Sequence, residues 1–380
     1  MPIETHLPAD LQLIVPNLHR RYSGVTATNR MVAPKLATMF RAAWLGSDAP
    51  DGIARMGFAD LLKLWRRRTP LIWHARRNDE MIAGVVLRAL GWPLQLVFTS
   101  AAQRHHTWTT RWLIRQMDAV IATSAISASF LKRESTVVMH GVDTDAYAPP
   151  ADRAAAFTES ALPGRYAVGC FGRVRAQKGS DVFVEAMCRL LPRYPDFTAV
   201  MVGAIVPEQQ AFANALKQRI AAAGLQSRIV ITGELETEEV RRWYTRLTIY
   251  AFTSRNEGFG LTLIEAMSVG AALVASRAGA AEFVVEDGVT GVLVAPEAPD
   301  RLAEALLPLL LDRGAREAMG SRARARVAAT AETSACIGRL EAFYRDVIAG
   351  VTRAPGAADP KPASRAHPAP AAVRTGVPTP

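Results

Sequence analysis

Leu247-Thr248-Ile249-Tyr250-Ala251-Phe252, then Thr253-Ser254-Arg255-Asn256, then Glu257-Gly258-Phe259-Gly260-Leu261-Thr262-Leu263-Ile264-Glu265 is the stretch on which the fold turns. It reads as a buried strand, a polar bend and a helix opened by two glycines. Gly258 and Gly260 expose backbone N–H groups at the helix start, a good seat for phosphate oxygens. Glu257 precedes the helix and Glu265 lies about two turns along it. The two carboxylates can therefore reach different parts of one long ligand, and a carboxylate accepts paired hydroxyl hydrogen bonds well. A sugar nucleotide has that shape, with hydroxyls at both ends and phosphates between. The plainer alternative makes Glu257 a helix cap and Glu265 a solvated acid. The company of Leu261, Leu263, Ile264 and Met267 is unusually apolar for a solvated acid.

Outward from this stretch the same rhythm repeats. Strand-like segments at Tyr166–Phe171, Phe197–Val202, Arg228–Thr232 and Ala271–Ala275 alternate with helix-like segments at Ser180–Leu191, Pro207–Ala222 and Thr237–Tyr244. The first half shows strands at Leu11–Val15, Pro70–Trp73, Leu94–Phe98, Ala119–Thr123 and Thr136–Met139, with helices between. Buried parallel strands covered by helices are the expected architecture, in two α/β domains. The proline- and glycine-bearing stretch 147–164 reads as the interdomain linker. The first domain then spans 1–146, the second 165–328, and a last helix 329–349 returns to the first. Residues 350–380, rich in proline, alanine and arginine, read as a disordered tail.

The 380 residues and 49% hydrophobic content suffice for two cores. Three scattered cysteines form neither a metal cluster nor a disulfide framework. No secretory signal and no bilayer-length apolar run is read, so a cytoplasmic location is expected. The formal charge of +10 comes without any nucleic-acid-binding motif, so no nucleic-acid partner is expected. GxGxxG and the P-loop are both missing. Tryptophan and arginine do occur together, at Trp65-Arg66-Arg67-Arg68 and again at Arg104, Trp108, Arg111-Trp112 and Arg115. That pairing suits peripheral contact with an anionic membrane surface. Core tryptophans and solvated arginines are the alternative.

A second glycine-bearing site is Gly169-Cys170-Phe171-Gly172-Arg173, continuing to Gln177-Lys178-Gly179. Arg173 and Lys178 flank a short loop and could converge on one diphosphate. Glycine–arginine, lysine–glycine and two glutamates separated by seven residues, in that order, resemble the retaining glycosyltransferases of family four. Gly279–Glu282 and His140-Gly141-Val142-Asp143 add to the resemblance. It implies a GT-B fold, two Rossmann-like domains facing a central cleft. It also implies that Arg173 and Lys178 hold the donor diphosphate beside Gly172. Glu265 would bind ribose and Glu257 the donor sugar. Gly258, Phe259, Gly260 and Leu261 would complete the donor site. On the acceptor side only Gly24 matches the family's first-domain glycine loop. Where many members carry a histidine this chain has Thr99-Ser100, with His105 and His106 later, so the acceptor-side catalytic residue stays open.

His74-Ala75-Arg76-Arg77-Asn78-Asp79-Glu80-Met81 resembles one subgroup, the lipopolysaccharide core mannosyltransferases. That implies GDP-mannose as donor substrate and a Kdo-containing anionic glycolipid as acceptor, at the cytoplasmic face of the inner membrane. Arg76 and Arg77, at a strand end, would grip a carboxylate. His74 and Arg76 would orient the acceptor, with His74 a proton relay or a structural histidine. No cofactor and no metal is expected, because no Asp-X-Asp motif lies in the expected cleft. A non-hydrolysing sugar-nucleotide epimerase and a non-catalytic nucleotide-sugar scaffold are the competing readings.

Overall fold

The computed structural model describes residues 8, 10–19, 24–65 and 67–350. The expected tail beyond Gly350, and Arg66, lie outside them. Two separate parallel sheets organise the chain. The first contains β1 (Leu13–Pro16), β2 (Ala42–Leu45), β3 (Ala54–Met56), β4 (Leu71–Ala75), β5 (Leu94–Ser100), β6 (Ala119–Ala122) and β7 (Thr136–Val137). Their spatial order is β3-β2-β1-β4-β5-β6-β7. The second contains β8 (Tyr166–Phe171), β9 (Phe197–Val202), β10 (Ile229–Ile231), β11 (Leu247–Phe252), β12 (Ala272–Ser276) and β13 (Val292–Val294), in the order β10-β9-β8-β11-β12-β13.

Both sheets are doubly wound, so the order reverses beside their first strands. Leu13 of β1 pairs with Ala42 on one side and Ile72 on the other. β8 pairs with β9 and β11 in the same way. Ligands of open parallel sheets bind outside the carboxyl ends of strands at such reversals. The fold therefore points to the ends of β1 and β4 in one domain, and of β8 and β11 in the other. The central strands β1, β4, β9 and β12 are buried at every position, as strands covered on both faces must be.

The chain crosses between the domains twice. Val142 and Glu332 form a parallel bridge there: the Val142 amide donates to the Ala331 carbonyl at 2.8 Å and the Thr333 amide to the Val142 carbonyl at 3.1 Å. Helix Thr333–Ala349 then lies on the first domain. Its Cys336, Ile337, Leu340, Phe343 and Tyr344 share one core with Leu13, Val15, Trp44 and Ile72.

Candidate active site

Lys178 and Glu257 meet at the carboxyl ends of β8 and β11. Lys178 closes a short 3-10 turn, Ala176–Lys178, and Glu257 stands just before helix Leu261–Ser268. The ammonium donates directly to the carboxylate Oε2, and both side chains are largely buried, 16% and 18% exposed. Ser254 Oγ at 3.4 Å and the Gly258 amide at 3.3 Å also point at this carboxylate. The two loops are stitched together independently. Thr253 Oγ1 donates to the Lys178 carbonyl at 2.9 Å and the Arg255 amide to the Gln177 carbonyl at 2.9 Å. Arg255 grips Asp181 with two parallel bonds of 2.8 Å, a fork-to-fork geometry that resists rotation. Lys178 is thus a cation held in place by the loop beneath it. The stem of Lys178 lies over Gly172, where an added Cβ would come within 3.2 Å of its Cε. Arg173 is exposed at the rim of the same loop.

Gly260 is the N-cap and Leu261 the first residue of the helix, whose first amides have no intrahelical acceptors. Phe259 is a correction. Its side chain is buried, 4% exposed, and its ring meets His140 of the first domain edge to face at 5.0 Å. It anchors the loop and offers no ring face to a ligand. Glu265 receives two phenols, Tyr244 Oη at 2.6 Å and Tyr147 Oη at 3.2 Å. Burial raises its pKa, against the pull of both hydroxyls. A carboxylate has about four lone-pair sites, so two phenols leave room for a ligand hydroxyl.

The first domain touches this loop directly. Gln103 Nε2 donates to the Gly258 carbonyl at 3.3 Å. Only glycine fits at 258, because a Cβ would lie 2.9 Å from the Ala101 carbonyl oxygen. The segment after β5, which carries His105 and His106, therefore borders the Gly258 loop. His106 contacts Ser100 Oγ at 3.3 Å, and burial followed by the nearby Arg104 lowers its pKa. Sequence reading missed Gln103, Tyr147 and Tyr244, since no local pattern marks them.

On the acceptor side the expected residues separate. Arg77 is half-buried and its Nη2 donates to Thr26 Oγ1 at 2.9 Å, two residues from Gly24 at the start of helix Gly24–Ala37. Arg76 turns inward. It lines a cavity of about 20 Å³ with Thr28, Thr99, His140 and Cys336. Burial lowers its pKa, and the Tyr344 hydroxyl is among its partners.

His74 is the second correction. The ring has no exposed surface, and both nitrogens are occupied, Nδ1 by Tyr344 Oη at 2.5 Å and Nε2 by Thr99 Oγ1 at 2.6 Å. Burial, and then the charge of Arg76, hold its pKa well below the ordinary value. A neutral ring with no free nitrogen cannot relay a substrate proton, so His74 joins the last helix to β4. Tyr344→Phe is expected to strand Nδ1 and lower the unfolding free energy by about 1–3 kcal/mol. Urea denaturation of the two proteins measures it.

A cavity of about 490 Å³ lies at the opposite end of the second sheet, around Arg153, Arg165, Arg313 and Arg316. Its arginines have structural work. Arg153 donates to the carbonyls of Leu247 and Val269, the residues that end helices Thr237–Arg246 and Leu261–Ser268. Arg316 donates to the Leu309 carbonyl at 3.3 Å and lies over the Tyr166 ring. Helix carboxyl ends attract cations and repel anions, so this cavity is a poor phosphate site. Among the described residues no three His, Cys, Asp or Glu side chains converge as a metal site. No described helix is long and apolar enough to cross a membrane.

Comparison with known proteins agrees with this geometry. Residues 152–326 match the profile of the glycosyl transferases group 1. The chain is 47% identical over 348 residues to the lipopolysaccharide core biosynthesis mannosyltransferase LpcC of Rhizobium leguminosarum bv. viciae, covering 89% of this chain and 97% of that one. It is 42% identical to LpsB of Rhizobium meliloti, described in the same words, covering 80% of this chain and 88% of that one. The crystal structure of Anabaena HepE with UDP and glucose shares the fold, with a TM-score of 0.76 at 19% identity over 88% of this chain and all of that one. On its fold and on relatives matched over most of their length, the chain belongs to the group 1 glycosyltransferases, family four with the GT-B fold, alongside the lipopolysaccharide core mannosyltransferases.

Proposed function

We propose that this glycosyltransferase moves mannose from GDP-mannose to an acidic sugar of the lipopolysaccharide inner core, with retention of configuration. The observation that carries the proposal is the stitched Lys178–Glu257 pair before a glycine-opened helix, at the strand reversal of the second sheet. Lys178 and Arg173 meet the diphosphate and stabilise the charge that develops as it leaves. The amides of Gly260 and Leu261 add a helix N-terminus to the same phosphates. Glu257 binds hydroxyls of the donor sugar and Glu265 the ribose. With its carboxylate engaged by Lys178, Ser254 and the Gly258 amide, Glu257 is a binding group and not a nucleophile. The reaction is then a front-face transfer in which the departing diphosphate helps take the acceptor proton. The choice of mannose is supported by LpcC and LpsB, whose names call them mannosyltransferases. Arg77, with Thr26 and Gly24, receives the acceptor's carboxylate. Lipid-linked acceptors bring the first domain to an anionic membrane on its cytoplasmic side.

The surface supports that last step. Helices Phe58–Leu64, Asn78–Ala89 and Trp108–Arg115 cover one face of the first sheet. Their outer sides carry Phe58 and Leu62, Ile82 and Val86, and Trp108 and Trp112, all exposed. Trp65 and Leu90 extend the stripes and Arg111 and Arg115 stand among them, also exposed. Apolar anchors with flanking arginines favour anionic bilayers.

Incubation with GDP-mannose and a Kdo-lipid is expected to give mannosylated lipid. Epimerised or merely hydrolysed donor would refute transfer. In flotation, anionic vesicles should retain the protein and neutral ones should not. Equal retention would remove the electrostatic part.

A further inference from the structure

Glu80 has no part in the chemistry described so far, yet it lies under the acceptor-side arginines. It is the third residue of helix Asn78–Ala89, and its side chain has no exposed surface. Oε2 accepts the Arg76 backbone N–H at 2.7 Å. The Trp73 indole donates to the Glu80 carbonyl at 2.8 Å, fixing this turn against β4. Oε1 has no hydrogen-bond partner and stands 3.9 Å from Arg77 Nη1. That separation is too long for a hydrogen bond and short enough for strong attraction in a dry site. A buried carboxylate oxygen without a partner is costly. It is understandable where the carboxylate steadies the neighbouring guanidinium through charge and not through a hydrogen bond.

We propose that Glu80 is a positioning residue for Arg77 and its exchangeable counter-ion, so that an anionic group of the acceptor docking on Arg77 drives a proton onto Glu80. The inference rests on the reading that Arg77 receives that anion. Before docking, the Arg77 charge faces the Glu80 carboxylate. Afterwards it faces the acceptor's carboxylate, and a proton taken from solvent sits on the unpartnered Oε1. No bond of the sugar transfer is involved. Two anions sharing one buried cation repel each other, and protonating the displaced one relieves the repulsion.

The surroundings make the proton available near neutrality. Burial pushes the Glu80 carboxyl up to about 7, opposed by the Arg76 amide and by the charges of Arg76 and Arg77, and helped by Asp79. Of the elements packed against this turn, β5 brings no titratable side chain, and helix Trp108–Arg115 brings Arg111 and Arg115, both exposed. Around Arg76, burial lowers His74 and His140 and raises Tyr344 and Cys336, which takes all four away from neutrality. Glu80 is ionised above about 7, so acceptor binding loses strength as pH rises through that value and is strongest below it.

The test uses the full chain and an acceptor glycoside whose only ionisable group is its carboxylate, so that the acceptor itself does not titrate. Acceptor KM is expected to be level below about pH 6.5 and to climb by up to tenfold per unit above about pH 7, while donor KM stays level. In Glu80→Gln the climb should vanish. An unchanged climb in Glu80→Gln overturns the inference. Arg77→Ala separates the two proposals: an acceptor KM equal to wild type overturns the placement of the anion on Arg77. A raised KM in Arg77→Ala beside a persistent climb in Glu80→Gln overturns only the role of Glu80. Should Glu80→Gln not fold, calorimetry of acceptor binding to wild type decides. In two buffers of different ionisation enthalpy near pH 7.5, uptake of roughly one proton supports the inference, and no uptake or release overturns it.

Discussion

Lys178→Ala is expected to lower kcat by about a hundred- to a thousandfold, the usual loss when one preorganised charge-stabilising group is removed from a reacting centre. The ammonium sits between Glu257 and the Gly172 loop, held by a turn whose carbonyls at 176–178 are tied to residues 253–255. Its charge therefore needs little reorganisation when the diphosphate begins to leave. The substitution also removes the cation bonded to the largely buried Glu257, which adds anionic repulsion where the phosphates arrive. Lys178→Arg should recover little, because a planar fork does not fit the space of a point charge. Steady-state kinetics with saturating donor and acceptor measure the effect. A kcat within threefold of wild type would remove Lys178 from the reacting centre.

Gly179→Ala is expected to have the largest effect on stability, several kcal/mol, with loss of donor binding. Gly179 adopts φ +66°, and an added Cβ would lie 1.9 Å from the Thr253 carbonyl oxygen. A left-handed alanine alone costs about 1 kcal/mol. The backbone collision comes on top, and relieving it must part the Lys178 turn from the β11 loop. Gly224→Ala isolates the first contribution. It has φ +67° with nothing within 4 Å of the added atom. Thermal melts should show a small drop for Gly224→Ala and a much larger one, or no folded protein, for Gly179→Ala. Equal drops would mean that the contact with Thr253 gives way easily.

The strand–glycine–helix setting in which Lys178 meets Glu257 was legible because its information is local. Glycines, a strand of six and a helix start follow one another between Leu247 and Glu265, and folding brings Lys178 to a place its own glycines already suggest. The first domain was less legible. β2 and β3 went unread, since Ala42-Ala43-Trp44-Leu45 follows alanine- and methionine-rich sequence that favours helix and shows no alternation. A strand-end position also does not say what covers the strand. His74 looked like a cleft residue, yet its partner Tyr344 is 270 positions away. Gln103 meets Gly258 across 155 positions, with no motif on either side. Glu80 stood in plain view beside two arginines, but its burial depends on helix packing that the stretch itself does not encode.

Helix Thr333–Ala349 completes the first domain with nearly the last described residues of the chain. On the ribosome, the first sheet is made long before that helix. Until it emerges, Leu13, Val15 and Ile72 lack part of their cover and His74 lacks its Tyr344 partner. The nascent chain must carry one apolar face only partly covered while the whole second domain is synthesised, and exposed apolar surface of that kind promotes aggregation. A truncation before Thr333 would make that exposure permanent, so an amino-terminal fragment is expected to aggregate unless the final helix is supplied in trans.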